Sequence, residues 1–400
     1  MYLRELELEE FRSYRRLALT FTPAGLRLTG ANASGKSSLL EAIAMLATTR
    51  SPRAATEREV IHWQSGAEYG VPPFARLRGA VETAAGATEL EIGLQADPAR
   101  PGAVRKQIKL GGRPVRAMDA VGRLKAVLFS PEDVALVAGP PSGRRRYLDL
   151  TISQLDGPYL RALSRYARVL AHRNGLLKSL GRAGVSPRSP AVEAQLAFWD
   201  GELVALGAAL IARRYLVVRG LNDLARTRFE RLSPGERLEI GYRASLPLDV
   251  LDGRPDATSM DHVQPLVARE YEQRLVAVRA EELRRGVSLV GPHRDDVSFV
   301  ISDADLATFG SRGQQRLAVV ALKLAETALM TEVAGEPPVL LLDDVLSELD
   351  AAHRALVTST ASAVGAQVIV TATDEELLER PDLAAVPRAR VEAGIIVIDD

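Results

Sequence analysis

The residues best suited to chemistry lie close to the N-terminus, where two glycines, a lysine and several serines follow one another. They are Gly30, Ala31, Asn32, Ala33, Ser34, Gly35, Lys36, Ser37 and Ser38. Glycine allows backbone N–H groups to curl around a phosphate at the positive end of the following helix. Lys36 can reach the β- and γ-phosphates of a nucleotide, and the Ser37 hydroxyl can ligate Mg²⁺. The pattern therefore predicts a phosphate-binding loop.

Two carboxylates follow an apolar run late in the chain. Residues 339–342 are all apolar, which is typical of a strand buried on both faces of a parallel sheet, and Asp343 and Asp344 come next. Open α/β sheets bind ligands at this end of their strands. An acidic pair after a buried strand is common by itself, so its meaning depends on the phosphate loop. With that loop, we expect Asp343 to bind Mg²⁺ with Ser37, and Asp344 to orient or deprotonate an attacking water.

A third cluster opens a predicted helix just upstream of this strand. It consists of Ser311, Arg312, Gly313, Gln314, Gln315 and Arg316. A small hydroxyl residue with glycine and glutamine at a helix N-terminus is suited to binding an anion. Simple N-capping of the helix by Ser311 is the alternative interpretation. The position of the cluster between the phosphate loop and the acidic pair favours the anion site.

Basic residues are concentrated in one segment although the chain as a whole has a formal net charge of zero. Between Gly139 and Pro190 there are ten basic and two acidic residues, which gives that segment a charge of about +8. Arginine side chains bind phosphates by charge and by their forked geometry. The alternative is a solvated helix face in an arginine-rich chain. The basic residues are Arg144, Arg145, Arg146, Arg161, Arg165, Arg168, Arg173, Lys178, Arg182 and Arg188.

The secondary-structure elements predicted to position these residues divide the chain into two kinds of region. Both ends read as α/β, with a helix predicted over residues 37–46, an antiparallel region over 76–114 and strands over 339–342 and 367–371. Residues 144–232 show long helical periodicity, interrupted between Gly181 and Pro190. We therefore predict an α/β fold in which residues 1–135 and 288–400 form one head and residues 136–287 form an inserted, mainly helical arm.

Composition excludes several classes of protein. The chain has no cysteine, so disulfides, thiolate metal sites and cysteine nucleophiles are excluded. The longest uncharged apolar stretch, residues 203–212, is half the length of a membrane span, which argues against membrane insertion. The first residues, Met1 to Glu5, do not resemble an export signal. A cytoplasmic location is the expectation that follows.

The order of these motifs resembles the ATP-binding-cassette ATPases and, within them, the RecF family of bacterial recombination proteins. The resemblance spans nearly the whole chain. It rests on the phosphate loop, the Ser311–Arg316 cluster, the Leu-Leu-Leu-Asp-Asp strand and further runs. Those runs are Phe11-Arg12-Ser13-Tyr14, Leu39-Leu40-Glu41, Phe129 to Asp133, Gly139-Pro140-Pro141, Arg173-Asn174, Gly291 to Asp296 and Ser347 to Asp350.

The resemblance implies a mixed-sheet head flanked by helices, in which Mg-ATP is sandwiched between two subunits. The phosphate loop of one subunit would face Ser311, Gly313 and Gln314 of the other. Lys36, Ser311 and Asp344 would then carry slow, DNA-stimulated ATP hydrolysis, and Asp350 and Thr373 would lie at the junction. It also implies that the dimer binds duplex DNA near single-strand gaps, works with RecR and RecO, and contacts DNA through Arg144, Arg145, Arg146 and Arg173.

Three positions depart from the family pattern. Ala33 stands where glycine is usual, which puts the local torsion of the loop in question. Asp344 replaces the glutamate of transport cassettes, and its shorter reach is consistent with slow hydrolysis. The glutamine of the usual water-binding loop is missing, and Glu132 and Asp133 are the two possible substitutes.

Three other functions compete with this interpretation. A chromosome-maintenance ATPase of the SMC type needs coiled-coil arms hundreds of residues long, which the chain lacks. A transport cassette coupled to a membrane permease would not need the basic helical segment. A scaffold that binds ATP without hydrolysing it would be distinguished by an ATPase assay.

Overall fold

The computed structural model describes residues 1–67, 70–100, 102–183, 186, 189–251, 254, 257–392 and 394–399. Arg188 of the basic segment lies outside the described residues. None of the helices in these ranges is both long and apolar enough to cross a membrane.

The N-terminal third is mainly strand, with one long helix directly after the phosphate loop. Its elements, in chain order, are β1 (Tyr2–Phe11), β2 (Tyr14–Thr20), β3 (Gly25–Thr29), α1 (Lys36–Thr48), β4 (Phe74–Thr83), β5 (Gly86–Ala96), β6 (Val104–Leu110), β7 (Arg113–Val115), α2 (Ala117–Ala120) and β8 (Ala126–Phe129). The predicted helix after the loop and the predicted antiparallel region are both confirmed.

The middle of the chain is helical, as predicted, with one strand. It contains α3 (Ala135–Ala138), α4 (Pro141–Leu155), α5 (Gly157–Arg182), α6 (Pro190–Leu232), β9 (Leu238–Arg243) and α7 (Met260–Arg285). Helices α5 and α6 begin with side-chain caps, because Asp156 accepts a hydrogen bond from the Tyr159 N–H and Ser189 accepts one from the Val192 N–H. α6 is roughly 65 Å long at 1.5 Å per residue.

The C-terminal part returns to α/β. It contains β10 (Asp296–Ile301), β11 (Ala304–Asp305), α8 (Leu306–Phe309), α9 (Arg312–Ala334), β12 (Val339–Asp343), α10 (Ala351–Ala363), β13 (Val368–Ala372), β14 (Arg388–Glu392) and β15 (Ile395–Ile398).

Both chain ends contribute to the central sheet, whose order is β15-β14-β3-β13-β12-β8. β14, β3, β13, β12 and β8 are parallel, and β15 alone is antiparallel to its neighbour. The phosphate loop follows β3. In the acidic pair, Asp343 is the last residue of β12 and Asp344 comes directly after it. Because parallel strands end at the same edge of a sheet, this order brings the two motifs to one edge although they lie about 300 residues apart in sequence.

The central sheet is buried on both faces, which is why the residues of β12 show no polar alternation. Val339 and Leu341 pack with α1 and the antiparallel sheet β2-β1-β4-β5-β6-β7. Leu340 and Leu342 point to the opposite face and pack with the core of helices α4, α6 and α9. The prediction of a doubly buried strand is confirmed.

The helical segment 136–287 shares most of its core with the head. Side chains of α4 to α7 belong to the same hydrophobic cluster as those of α9 and β12. The tip, where α5 and α6 meet the end of α7, has a small cluster of its own, formed by Leu177, Leu180, Val192, Leu196 and Leu283. The division of the chain at 135/136 and 287/288 stays a prediction.

Two of the four arginines predicted to contact DNA are internal braces. Arg173 is 0% exposed, and its guanidinium donates to Asp200 at 2.7 Å, to Glu282 at 2.7 Å and to the Ser288 hydroxyl at 2.8 Å. Arg144 is also buried; it donates to both oxygens of Asp296 at 2.6 and 2.8 Å and to the Gly139 carbonyl at 2.7 Å. The prediction was wrong for both, because these guanidinium groups are buried against carboxylates of the protein and do not face the solvent where a DNA phosphate would lie.

Candidate functional site

The phosphate loop connects β3 to α1 and is shaped by the hydroxyl residues of the nearby Phe11-Arg12-Ser13-Tyr14 run. Gly35 has a φ of 119°, and a Cβ added there would lie 2.9 Å from Ser13 Oγ and 3.0 Å from Tyr14 Oη. The Tyr14 hydroxyl donates to the Gly35 carbonyl at 3.0 Å. Only glycine fits this position, because both the torsion and the space exclude a side chain.

Ala33 has a positive backbone φ angle, which glycine adopts at little energetic cost. Its φ is 62°, in the left-handed region. This conformation costs an alanine about 1–2 kcal/mol relative to an ordinary torsion. The departure from the family pattern therefore stores a small strain in the loop.

Lys36 lies inside the loop. Its ammonium group donates to the carbonyls of Gly30 and Ala31 at 2.6 and 2.9 Å. The side chain is buried, and this burial lowers the pKa of Lys36, while the charges of Asp344 and Asp343 act in the opposite direction. The Ser34 hydroxyl in the same loop is buried without a hydrogen-bond partner in the described chain. A cation and a free hydroxyl inside a glycine-lined loop fit a phosphate group.

Asp343 meets the loop through Ser37, whose hydroxyl donates to its carboxylate at 2.8 Å. The hydroxyl of Thr371 donates to the same carboxylate oxygen at 3.1 Å. Burial raises the pKa of Asp343, and the Ser37 hydrogen bond opposes that effect. Serine and carboxylate oxygens are hard ligands of the kind that Mg²⁺ prefers beside nucleotide phosphates, so this pair fits the predicted metal site. Sequence reasoning missed Thr371, which lies on β13 between the two motifs.

Asp344 has a conformation that is unusual for a non-glycine residue. Its φ is 53°, and its backbone N–H donates to the carbonyl and the hydroxyl of Thr371 at 3.2 and 3.1 Å. Its Oδ1 atom is buried and has no hydrogen-bond partner in the described chain. An unpaired buried carboxylate oxygen is costly, and such groups cluster at sites where the missing partner arrives with a ligand. The geometry fits a carboxylate that accepts a hydrogen bond from an attacking water.

Arg53 is a site residue that sequence reasoning missed. Its guanidinium lies 3.5 Å from Asp343 and 3.0 Å from Glu132, so it bridges the metal-site carboxylate to the loop after β8. The only sequence signal is its position shortly after the end of α1. A cation held between two carboxylates balances charge at the place where Mg²⁺ is expected.

The structure also distinguishes between Glu132 and Asp133, the two possible substitutes for the missing glutamine of the water-binding loop. Glu132 faces the site through its ion pair with Arg53. Asp133 points away into the protein, where it lies 3.8 Å from the buried Lys323 ammonium of α9 and accepts a hydrogen bond from the Ser130 N–H. Burial raises the pKa of Asp133. Of the two, Glu132 has the geometry to approach a bound nucleotide.

The Ser311 cluster begins α9 with a reciprocal cap, and its first three residues are exposed. The Ser311 hydroxyl accepts from the Gln314 N–H at 3.2 Å, and the Gln314 side chain accepts from the Ser311 N–H at 3.0 Å. The N-capping interpretation therefore holds within one chain. In the described chain no hydrogen bond joins Ser311, Arg312 or Gly313 to the phosphate loop. This exposed end of the cluster faces solvent, where a second subunit could reach it.

Asp350 and Thr373 also lie at exposed positions around the same sheet edge. Asp350 caps α10 by accepting from the His353 N–H at 2.9 Å, and this hydrogen bond lowers the pKa of Asp350. Thr373 directly follows β13, whose last residue, Ala372, pairs with Thr29 at the start of the phosphate loop. Their predicted roles at a subunit junction stay predictions.

Comparison with known proteins agrees with this geometry. The family model described as the RecF/RecN/SMC N-terminal domain matches residues 2–390. The DNA replication and repair protein RecF of Thermomicrobium roseum is 48% identical over 396 residues, covering 98% of this chain and 99% of that protein. Its counterpart in Chloroflexus aurantiacus is 45% identical over 399 residues, with the same coverage.

Solved structures give the same result. The recombination mediator protein RecF with ATP, from the RecFOR pathway, superposes with a TM-score of 0.83 at 30% identity, covering 100% of this chain and 98% of that chain. An Smc head domain from Pyrococcus furiosus superposes with a TM-score of 0.53 at 16% identity, covering 100% of this chain and 96% of that one. The second likeness shows a shared fold alone.

Replacement of Lys36 tests the loop. Lys36→Ala removes the ammonium that contacts phosphate, so we expect ATP affinity to fall at least about 100-fold, the loss typical of a buried charge-assisted contact. Isothermal titration with ATP and Mg²⁺ measures it. Lys178→Ala, which changes an exposed lysine on α5, is the matched control and should bind ATP like the parent. Unchanged affinity in Lys36→Ala would refute the phosphate-loop assignment.

Proposed function

The chain belongs to the RecF family of SMC-like ATPases, and on that basis we propose that two copies enclose ATP between them and that the closed dimer holds DNA during recombinational repair and replication-gap processing. ATP binding and a role in the pathway follow from the family. The homodimer, the DNA contacts and the DNA-stimulated hydrolysis are the parts proposed here.

The observation that carries the proposal is that each chain contains two half-sites, and that among the described residues no hydrogen bond or ion pair joins them. Lys36, Ser37 and Asp343 lie together at the edge of the central sheet. The Ser311 cluster lies elsewhere, exposed at the start of α9, with its backbone N–H groups directed along the helix axis. A helix N-terminus attracts anions. A second copy that brings its cluster over the γ-phosphate would complete the site.

Within such a site each residue has a definite task. Lys36 would hold the β- and γ-phosphates, and Ser37 and Asp343 would hold Mg²⁺, which supplies charge stabilisation to the transferring phosphoryl group. Asp344 would orient the attacking water through its free oxygen. Its side chain is one methylene shorter than that of glutamate, so the water must lie closer to the strand end. This restriction favours slow hydrolysis, with release of the dimer as its consequence.

The exposed basic residues of the helical segment are the proposed DNA contacts. Arg145 and Arg146 line an open groove of about 930 Å³ between the end of α1 and helices α4 and α5. Arg161, Arg165 and Arg168 are exposed on α5. Arg145 donates one hydrogen bond to the Asp295 carbonyl, and Arg146 donates one to the Ser51 carbonyl. Neutral carbonyls leave the positive charge of both arginines available to phosphate.

Duplex DNA next to a single-strand gap is the proposed substrate, and a cytoplasmic location is proposed with it. RecR and RecO are the proposed partners, because the solved relative with ATP is described as part of the RecFOR pathway. The transport-cassette alternative is not supported, because the full-length relatives are DNA replication and repair proteins. A non-hydrolysing scaffold would bind ATP and dimerise without turnover.

A mixing experiment tests the two-subunit site. Ser311→Arg should bind ATP but fail to dimerise, because a bulky cation at the start of α9 blocks the opposing phosphate. Mixed with Lys36→Ala, it forms dimers that retain one intact composite site. We expect each variant alone to be inactive and an equal mixture to recover up to about half of parent ATPase activity, since neither variant dimerises with itself and each mixed dimer has one intact site of two. A mixture as inactive as its components would count against the proposal.

Salt dependence tests the DNA contacts. Removal of two phosphate contacts by Arg161→Ala with Arg168→Ala should flatten the slope of log affinity against log salt by about 2 for duplex DNA, independent of sequence. Arg100→Ala with Arg105→Ala, two exposed arginines of the antiparallel sheet, is the matched control. Fluorescence anisotropy at several salt concentrations measures the slopes. Equal slopes for all three proteins would show that α5 does not contact phosphate.

A further inference from the structure

Three aromatic rings form a continuous stack across the outer surface of α5 and α6. His172 of α5 stacks on Trp199 of α6, with centroids 5.1 Å apart and planes inclined by 18°. Phe198 meets Trp199 edge-on at 5.1 Å and 78°. We call His172, Trp199 and Phe198 the aromatic ladder. Its outermost ring, Phe198, is 66% exposed.

An exposed phenylalanine alone is ordinary, so the ladder gains meaning from the charge beside it. Arg161, Arg165, Arg168 and His172 are spaced four, three and four residues apart, which places them on one face of α5. Arg165 pairs with Glu202 at 2.6 Å, one helical turn beyond Phe198 on α6. In the described chain no ion pair engages Arg161 or Arg168. The aromatic ladder therefore lies at one end of a basic stripe in which the charges of Arg161 and Arg168 are not neutralised by an ion pair within the described chain.

Aromatic rings next to a cationic track are suited to single-stranded nucleic acid. Bases present apolar faces that stack on such rings, and phosphates lie along the cations. Duplex DNA hides its base faces inside the helix, so it would gain from the arginines alone. The two features together therefore discriminate between paired and unpaired DNA.

We propose that Phe198 stacks on an unpaired base of a single strand that leaves a duplex bound along the basic stripe of α5. The proposal rests on the proposed DNA-binding function and adds to it a site for recognising the junction. Trp199 contacts the Phe198 ring edge-on, and His172 in turn stacks on Trp199.

Three substitutions separate stacking from apolar contact. Phe198→Ala and Phe198→Leu remove the π-face, whereas Phe198→Tyr retains it, and folding should survive because the side chain is exposed. The probes are a duplex, the same duplex with a single-stranded extension, and the single strand. We expect Ala and Leu to weaken binding of the extended duplex about 5- to 100-fold, with the plain duplex and the Tyr variant unchanged. Trp63→Ala, at another exposed aromatic residue, should have no effect.

A spectroscopic readout identifies the contact. 2-Aminopurine placed in the single strand near the junction should be quenched by the parent protein and by Phe198→Tyr, but not by Phe198→Leu. Equal quenching by Phe198→Leu, or an unchanged affinity of Phe198→Ala for the extended duplex, would overturn the ladder proposal while duplex binding stood. A loss of duplex binding in Phe198→Ala would also overturn it, as would impaired ATP-driven dimerisation, which would make Phe198 a contact between copies. Failure of the parent to bind any DNA would instead refute the proposed function.

Discussion

The hydrogen bond from Ser37 to Asp343 is the contact on which the rest of the structure depends. It joins residues 306 positions apart and exists because β3, β13 and β12 run parallel and end at one edge. Thr371 on the intervening strand fixes Asp343 by its hydroxyl and also fixes the backbone of Asp344. The residues proposed to hold the phosphates, the metal and the water are thereby positioned by the central sheet.

Contacts beyond the site connect it to the helical segment. Two hydrogen bonds of Ser51 fix the loop that carries Arg53. The Ser51 hydroxyl donates to the Glu41 carboxylate, and the Ser51 carbonyl accepts from the Arg146 guanidinium. A second route starts at Asp133, passes Lys323 of α9, and reaches α4 through Glu326, which accepts hydrogen bonds from Tyr147 and Thr151. Buried polar chains of this kind make the region rigid, because an unpaired member is costly. Both routes end on α4, the helix that carries Arg144, Arg145 and Arg146.

The motif at residues 291–296 forms a structural joint. A Cβ at Gly291 would lie 2.0 Å from the Tyr271 hydroxyl, and the Pro292 carbonyl accepts from the buried Arg214 at 2.6 Å. Burial lowers the pKa of His293 to about 4, so its neutral ring accepts from the Tyr166 hydroxyl while Nε2 faces the Ser288 carbonyl. Through these contacts, the 291–296 joint fixes α5, α6 and α7 to the C-terminal α/β part of the chain.

Sequence reasoning located the loop, the acidic pair and the α/β architecture because glycine spacing and unbroken apolar runs report local geometry directly. It could not find Arg53 or Thr371, whose roles arise only when distant segments meet. It also misassigned Arg144 and Arg173. In the sequence, an arginine that pairs with a buried carboxylate such as Asp296 or Glu282 cannot be distinguished from an arginine that faces solvent. Those carboxylates are more than 100 residues away in sequence, and only the fold brings them near.

The central claim is that ATP joins two copies, and the molar mass of Asp344→Asn in solution tests it most directly. Asparagine tolerates the left-handed torsion of this position and keeps the backbone hydrogen bonds to Thr371, but it cannot deprotonate water, so ATP should stay bound. Size-exclusion chromatography with light scattering should give the mass of one 43.2 kDa chain without nucleotide and twice that mass with Mg-ATP. A mass that stays at one chain while ATP is bound at one molecule per chain would contradict the account.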